Sequence, residues 1–220
     1  MSLKNSNTFI IGISGGSGSG KTSFIRDLKH HFSEDDICFL SQDDYYKPRE
    51  QQKEDENGIK NFDLPESIHI DEFYFDLVRL MNGMEVERQE YTYNNGTKEG
   101  TTLRFKPAPI IIVEGLFVFY DPKVFDLMDL RILIHATDTQ KIIRRIKRDR
   151  VERNYPLEDV LYRYENHVLP SFESYIYPFI GKVDIVINNN KTYDMGRDLL
   201  LAYLREKIAS TKSKESKMHQ

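Results

Sequence analysis

The chain has 220 residues, 39% hydrophobic and 30% charged, with no Trp, one Cys and a net charge of −4. These values fit a single domain with a sizeable core and exclude collagen-like, mucin-like and wholly disordered chains. No run approaches 18 apolar residues, residues 1–8 lack the apolar stretch of a secretory signal, and a lone Cys38 cannot form an internal disulfide, so a cytoplasmic protein is expected.

In chain order, residues 9–13 are a short apolar run that breaks into glycines, which reads as a buried strand and a loop. Phe24, Ile25, Leu28 and Phe32 then recur at helical spacing over 22–32. Residues 37–40 are a second strand candidate. Residues 48–61 are polar and carry Gly58, as expected of a mobile loop. Ile70, Phe73, Leu77 and Leu80 give helical periodicity over 68–80. Over 89–105, Tyr91 and Tyr93 alternate, Asn95-Gly96 is a hairpin dipeptide and 101–105 alternate again, which predicts a small antiparallel hairpin inserted at about 87–106.

The runs at 109–113 and 131–135 have the continuous apolar character of buried parallel strands. Residues 138–153 read as a basic helix, 157–177 as helix ending before Pro178, 183–187 as a last strand and 195–208 as a last helix. Residues 1–8 and 210–220 are expected to be flexible ends around one domain, 9–209. Strands alternating with helices predict an α/β fold around a parallel sheet.

Residues 15–22, Gly-Gly-Ser-Gly-Ser-Gly-Lys-Thr, satisfy the G-x-x-x-x-G-K-[ST] pattern of a phosphate-binding loop. An apolar strand precedes it and an amphipathic helix follows, which is the context the motif requires. Backbone N–H groups across Gly15, Gly16, Ser17, Gly18, Ser19 and Gly20 would surround an anion, with the helix N-terminus and Ser23 behind them. Lys21 would reach the β- and γ-phosphates of ATP or GTP, and the Thr22 hydroxyl would ligate Mg²⁺. The fold expected is therefore a P-loop NTPase-type sheet flanked by helices.

Phosphoryl transfer also needs a carboxylate near Mg²⁺ and a group to orient the nucleophile. Glu114 follows an apolar strand and would face the crevice, as a member of the metal shell. Asp43 and Asp44 follow the second strand; an aspartate there can take the proton of an attacking hydroxyl, or be a solvated acidic turn. Residues 141–153 hold seven basic side chains against two acidic ones, a field expected to meet a small polyanion in a lid at about 138–156. The slightly acidic chain as a whole lacks the field for nucleic acid.

Ser41-Gln42-Asp43-Asp44-Tyr45-Tyr46, Asn61-Phe62-Asp63-Leu64-Pro65, the hairpin from Tyr91, Glu114-Gly115 and Arg144-Arg145-Ile146-Lys147-Arg148-Asp149 occur in that order. Together they resemble the uridine–cytidine kinase family over about residues 8–187. The resemblance implies that Asp43 is the base for a nucleoside 5′-hydroxyl and that Lys21 assists transfer. It implies that Asp63 holds the ribose diol, that Tyr46 lies beside the nucleoside and that Phe62, Tyr91 and Tyr93 wall the base. Arg145 would then close over the substrate, and Arg148 and Arg153 over the nucleotide. The family is often homotetrameric, so a homo-oligomer is expected.

Three positions depart from the pattern. Gly96 stands where a His is expected, Tyr155 where a second lid arginine is expected, and Arg163 where a glutamine is expected. All three would read the base. Either Arg163 and Asn95 compensate, or the acceptor is another alcohol, as for nicotinamide riboside kinases or phosphoribulokinases. A nucleotide-binding regulatory module without turnover is a third reading, against which Asp43 and Glu114 both count. In the first two readings the partners are a nucleoside triphosphate and a small nucleoside-like acceptor, with no nucleic acid or membrane.

Overall fold

The computed structural model describes residues 8–92, 101–151 and 154–218. Tyr93, the Asn95-Gly96 turn and Arg153 lie outside the described residues.

The strands are β1 (Phe9–Ser14), β2 (Ile37–Ser41), β3 (Val86–Gln89), β4 (Thr102–Phe105), β5 (Ile110–Glu114), β6 (Leu130–His135) and β7 (Ile185–Asn188). Five of them form a parallel sheet in the order β2-β5-β1-β6-β7, and β3 and β4 form a separate antiparallel pair. β1 and β5 are apolar along nearly their whole length because helices cover both faces of the sheet. The register pairs Glu114 with both Ile13 and Ser41, so β1, β2 and β5 end at one level. That common edge is where the loops carrying chemistry emerge.

The helices are α1 (Lys21–Lys29), α2 (Ile70–Met81), α3 (Pro122–Leu127), α4 (Asp138–Val151), α5 (Leu157–Arg163), α6 (Leu169–Ser171) and α7 (Asp194–Met218). Phe24 and Leu28 of α1 and Leu200 and Leu204 of α7 pack on one face of the sheet with Ile11, Ile13 and Ile112. Phe73, Leu77 and Leu80 of α2 pack on the other with Ile10, Ile111 and Val113. Among the described residues, no helix is long and apolar enough to cross a membrane.

Several boundaries differ from those the periodicity predicts. The first hairpin strand lies earlier, at Val86–Gln89, and Tyr91 follows it. The helical path from residue 157 is not uniform: π-helical turns at Tyr164–Val168 and Phe172–Ile176 flank α6, which holds Pro170, and a 3₁₀ segment Tyr177–Lys182 completes it. Pro170 has no N–H to give a regular helix. α3 is too short for its periodicity to register, but Asp121 caps it, accepting from the N–H groups of Lys123 and Val124, with Pro122 in its first turn. α7 runs past residue 208 to Met218; no Gly or Pro interrupts it there, and Lys212 pairs with Asp36 at 2.7 Å.

The segment 48–61 is anchored at several points. Gln52 is buried and donates to the Lys47 carbonyl at 2.7 Å. Asp55 accepts from the Tyr162 hydroxyl at 2.8 Å and lies 2.7 Å from His167 Nε2, which joins the segment to α5 and the turn after it.

Candidate active site

Between Ser14 and Lys21 the chain wraps back on itself, closed by the Ser19 N–H donating to the Gly16 carbonyl at 2.9 Å. Gly18 has φ +81°, and a Cβ there would lie 2.3 Å from the Lys141 carbonyl oxygen. Only glycine serves at that position, since both the dihedral and the neighbouring backbone reject a side chain. α1 begins at Lys21 with no side-chain cap and no acidic residue in its first turn. Its free N–H groups and positive dipole end are left for an anion.

The Lys21 ammonium donates to Glu114 Oε2, and the Ser41 hydroxyl donates to Glu114 Oε1 at 2.6 Å. The register of the three strand ends makes this meeting possible. Burial alone would lower the Lys21 pKa, but Glu114 and Asp43 outweigh it and hold it above its ordinary value. For Glu114, burial pushes upward, and Lys21 and Ser41 bring it below the usual carboxylate range. Asp43 is thus close enough to act on the charge of the phosphate-loop lysine.

Asp43 sits in a 3₁₀ turn, Gln42–Tyr45, whose entry is capped by Ser41 Oγ accepting the Asp43 N–H at 3.2 Å. Gln42 turns inward and accepts from the Phe117 N–H at 2.9 Å. A Cβ on residue 115 would lie 2.4 Å from Gln42 Cβ. The Glu114-Gly115 pair therefore has a packing cause: Gly115 lets the end of β5 pass against the acidic turn.

These segments border one cleft of about 1150 Å³. Gly15, Gly16, Ser17, Gly18, Gly20, Lys21, Thr22 and Ser23 line it. Asp43, Tyr46, Phe62, Asp63 and Tyr91 line it as well. Ser19 and Glu114 are buried beneath the surface. The Tyr46 ring lies 5.5 Å from that of Tyr91 and 6.2 Å from that of Phe62. Asp63 follows a turn in which its N–H donates to Asn61 Oδ1 at 2.9 Å.

Arg144, Arg145, Arg148, Tyr155 and Arg163 roof the cleft. Arg145 donates to Ser17 Oγ at 2.8 Å, so it reaches the phosphate loop itself. Its Nε lies 3.2 Å from Asp149, and Arg148 Nε donates to the same carboxylate at 2.9 Å. Asp149 is only 2% exposed, so one buried carboxylate orders two lid arginines. Arg144 donates to the Asn189 carbonyl at 2.9 Å, and Asn189 Nδ2 donates to the Ser19 carbonyl at 2.8 Å. Two of the three departures from the family pattern meet here: the Arg163 guanidinium lies 6.0 Å from the Tyr155 ring while NH1 donates to the Lys60 carbonyl at 2.9 Å. The role of Asp149 and Asn189 itself escape sequence reasoning, although Asn189 directly follows β7 at the same sheet edge.

Mg²⁺ takes hard oxygen ligands, commonly one or two from the protein and the rest from phosphates and water. The Thr22 hydroxyl and the Glu114 carboxylate are donors of that kind. Among the described residues there is no group of three His, Cys, Asp or Glu that could hold an ion by itself. The site thus suits an ion that arrives with a nucleotide.

A parallel sheet of this order, with the phosphate loop leaving its central strand, is the architecture of a P-loop kinase. The model of the phosphoribulokinase/uridine kinase family matches residues 10–196. A uridine kinase of Staphylococcus carnosus is 34% identical over 201 residues, spanning 91% of this chain and 97% of that one. A uridine kinase of Streptococcus pyogenes is 36% identical over 201 residues, spanning 91% and 95%. Among solved structures, a possible uridine kinase from Bacillus stearothermophilus superposes with a TM-score of 0.58 at 17% identity, covering 84% of this chain and 91% of that one. This chain belongs to the phosphoribulokinase/uridine kinase family.

Proposed function

We propose that this kinase transfers the γ-phosphoryl group of ATP to the 5′-hydroxyl of a pyrimidine ribonucleoside, making UMP from uridine or CMP from cytidine. The observation that carries the reading is the position of Asp43. It lines the same cleft as the phosphate loop and lies near enough to Lys21 to raise its pKa.

The phosphate loop and Lys21 hold the triphosphate, with Thr22 and Glu114 as the residues for Mg²⁺. Held there, Mg²⁺ would supply neutralisation of the phosphate charge. Lys21 already shares its charge with Glu114, so arrival of the nucleotide exchanges one anionic partner for another. Asp63 accepts from the ribose 2′- and 3′-hydroxyls, since a carboxylate can take both donors of a vicinal diol. That anchors the sugar with its primary alcohol toward Asp43, whose carboxylate takes the hydroxyl proton as the oxygen attacks phosphorus. Tyr46, Phe62 and Tyr91 stack around the base. Arg145 and Arg148 meet the negative charge of the transferring group and exclude water, which would otherwise compete as acceptor. GTP would fit the same phosphate contacts. The reading places the enzyme in the cytoplasm, in pyrimidine salvage.

The Tyr155–Arg163 pair favours a second reading, in which the acceptor is a different ribose-bearing or sugar-phosphate alcohol. ADP release across a panel of alcohols separates the two. Release with uridine or cytidine supports the first, and release only with another alcohol overturns it. Asp43→Asn is expected to keep ATP affinity and lose about 10²–10⁴-fold in turnover. Unchanged turnover would remove Asp43 as the base.

A further inference from the structure

The hairpin root reaches the acidic turn through one side chain that no motif marks. Arg88 lies on β3, and its side chain is 17% exposed. Its Nε donates to the Asp44 carbonyl at 2.9 Å, the peptide that directly follows Asp43 and Asp44. Its guanidinium lies 3.6 Å from the centre of the Tyr45 ring. NH2 donates to Glu72 at 2.8 Å and NH1 lies 3.6 Å from Asp76, both on α2. Tyr45 is fully buried, and its hydroxyl donates to the same Asp76 at 2.9 Å. Three residues beyond Arg88, the Tyr91 N–H approaches Asp44 Oδ1 at 3.4 Å.

We infer that Arg88 is a positioning residue that fixes the Gln42–Tyr45 turn, and hence the direction of Asp43, against the hairpin that carries the acceptor wall. The inference rests on the reading of Asp43 as the base of the same site. Its physical content is a set of simultaneous contacts. One planar fork bonds a carbonyl of the turn, covers the ring of the turn's last residue and ties both to α2. A turn of four residues has little hydrogen bonding of its own, so its orientation depends on such outside contacts. The hairpin supplies Tyr91 to the cleft from the same root, so movement of the hairpin and aim of the base are joined through Arg88, with the Tyr91 N–H on Asp44 beside it.

Lysine separates this role from simple charge balance. It can neutralise Glu72 and Asp76, but it cannot bond the Asp44 carbonyl while lying flat on Tyr45. The test compares wild type, Arg88→Lys and Arg88→Gln, with Arg88→Lys as the milder variant should Arg88→Gln fold poorly. Steady-state kinetics with uridine and ATP are expected to give at least a tenfold loss of kcat in Arg88→Lys, with KM for ATP within twofold. Hydrogen exchange without substrates is expected to quicken about tenfold over residues 42–46 and stay unchanged over 9–29. Full rescue by lysine, unaltered exchange at 42–46, or a rise in KM for ATP that matches the fall in kcat would each overturn the inference. If the wild-type enzyme turns over no nucleoside, the proposed function fails, and the exchange experiment still decides whether Arg88 holds the turn.

Discussion

The two halves of the cleft are built in opposite ways. The nucleotide half comes from eight consecutive residues that run from the end of a central strand into the first turn of a helix, and its binding groups are mostly backbone N–H. The acceptor half is gathered from the acidic turn at 42–45, the segment 48–63, the hairpin root and α5, each brought in by side-chain contacts. One half is contiguous in sequence, with Glu114, Arg145 and Asn189 bonded to it from outside; the other has no contiguous frame and depends throughout on bonds between distant segments, such as Arg163 to Lys60 and Tyr162 to Asp55. Substitutions in the first half should therefore act through charge and backbone shape, and those in the second through orientation.

The largest expected effect tests the nucleotide half at its densest point. Lys21 and Glu114 form a buried pair whose side chains are 10% and 11% exposed. Removing one partner of such a pair costs about 3–5 kcal/mol, because the other charge stays buried without compensation. Lys21→Met is expected to show that loss in chemical denaturation without nucleotide, together with a fall in turnover of at least about 10²-fold. Lys21→Met with Glu114→Gln should recover most of the stability and none of the activity. If the double variant is as unstable as the single, the two residues do not compensate each other.

The same contrast explains what the sequence discloses. The phosphate loop is legible because glycine spacing, the Lys-Thr pair and both flanking elements are contiguous. The parallel sheet is legible because fully buried strands leave unbroken apolar runs. Asp63 and the aromatic wall become candidates only through the family pattern, and Asp43, placed at the crevice by its strand, is separated from a solvated acidic turn only by that pattern, since an acidic turn or a lone Tyr has no spacing that separates it from solvent-facing or core residues. Arg88 was not legible at all, and Asp149 was legible only as one acidic member of a basic motif, without its role. Each sits among other charged residues, and only the fold shows that one lies on the Tyr45 ring and the other is buried between two arginines. The C-terminal limit of α7 was also hidden, because its last turns are polar and their tie, Lys212 to Asp36, spans most of the chain.

A smaller effect is expected from Asp63→Asn, which sharpens the comparison from the acceptor side. A hydrogen bond to a charged group contributes about 1.5–3 kcal/mol, so kcat/KM for the nucleoside should fall roughly 10–10²-fold. KM for ATP should not move, because Asp63 lies outside the phosphate loop and is assigned to the acceptor. A 2′-deoxyribonucleoside, lacking one of the two hydroxyls, should lose less from the substitution than the ribonucleoside does. Equal losses for both sugars would detach Asp63 from the diol.

The smallest effect concerns Asp44, next to the proposed base. Burial raises its pKa from the ordinary 3.8 to about 6; the Tyr91 N–H opposes this, and Asp43, Glu90 and Glu114 add to it. A carboxyl whose folded pKa lies above its unfolded one holds a proton more tightly when folded. Its contribution to stability is complete below pH 4 and is lost as pH rises through about 6. Asp44→Asn keeps the group neutral at every pH and keeps an oxygen for the Tyr91 N–H. The variant should melt a few degrees above wild type at pH 7.5, where about 1 kcal/mol moves Tm by roughly 2–4 °C in a chain of this size. The two should converge near pH 4. Asp44 is only part-buried, so solvent weakens the effect well below that of the Lys21–Glu114 pair. Equal melting temperatures throughout pH 4–8 would mean that the acceptor half bears no cost for a buried charge at its acidic turn, leaving orientation by Arg88 as the constraint on that turn.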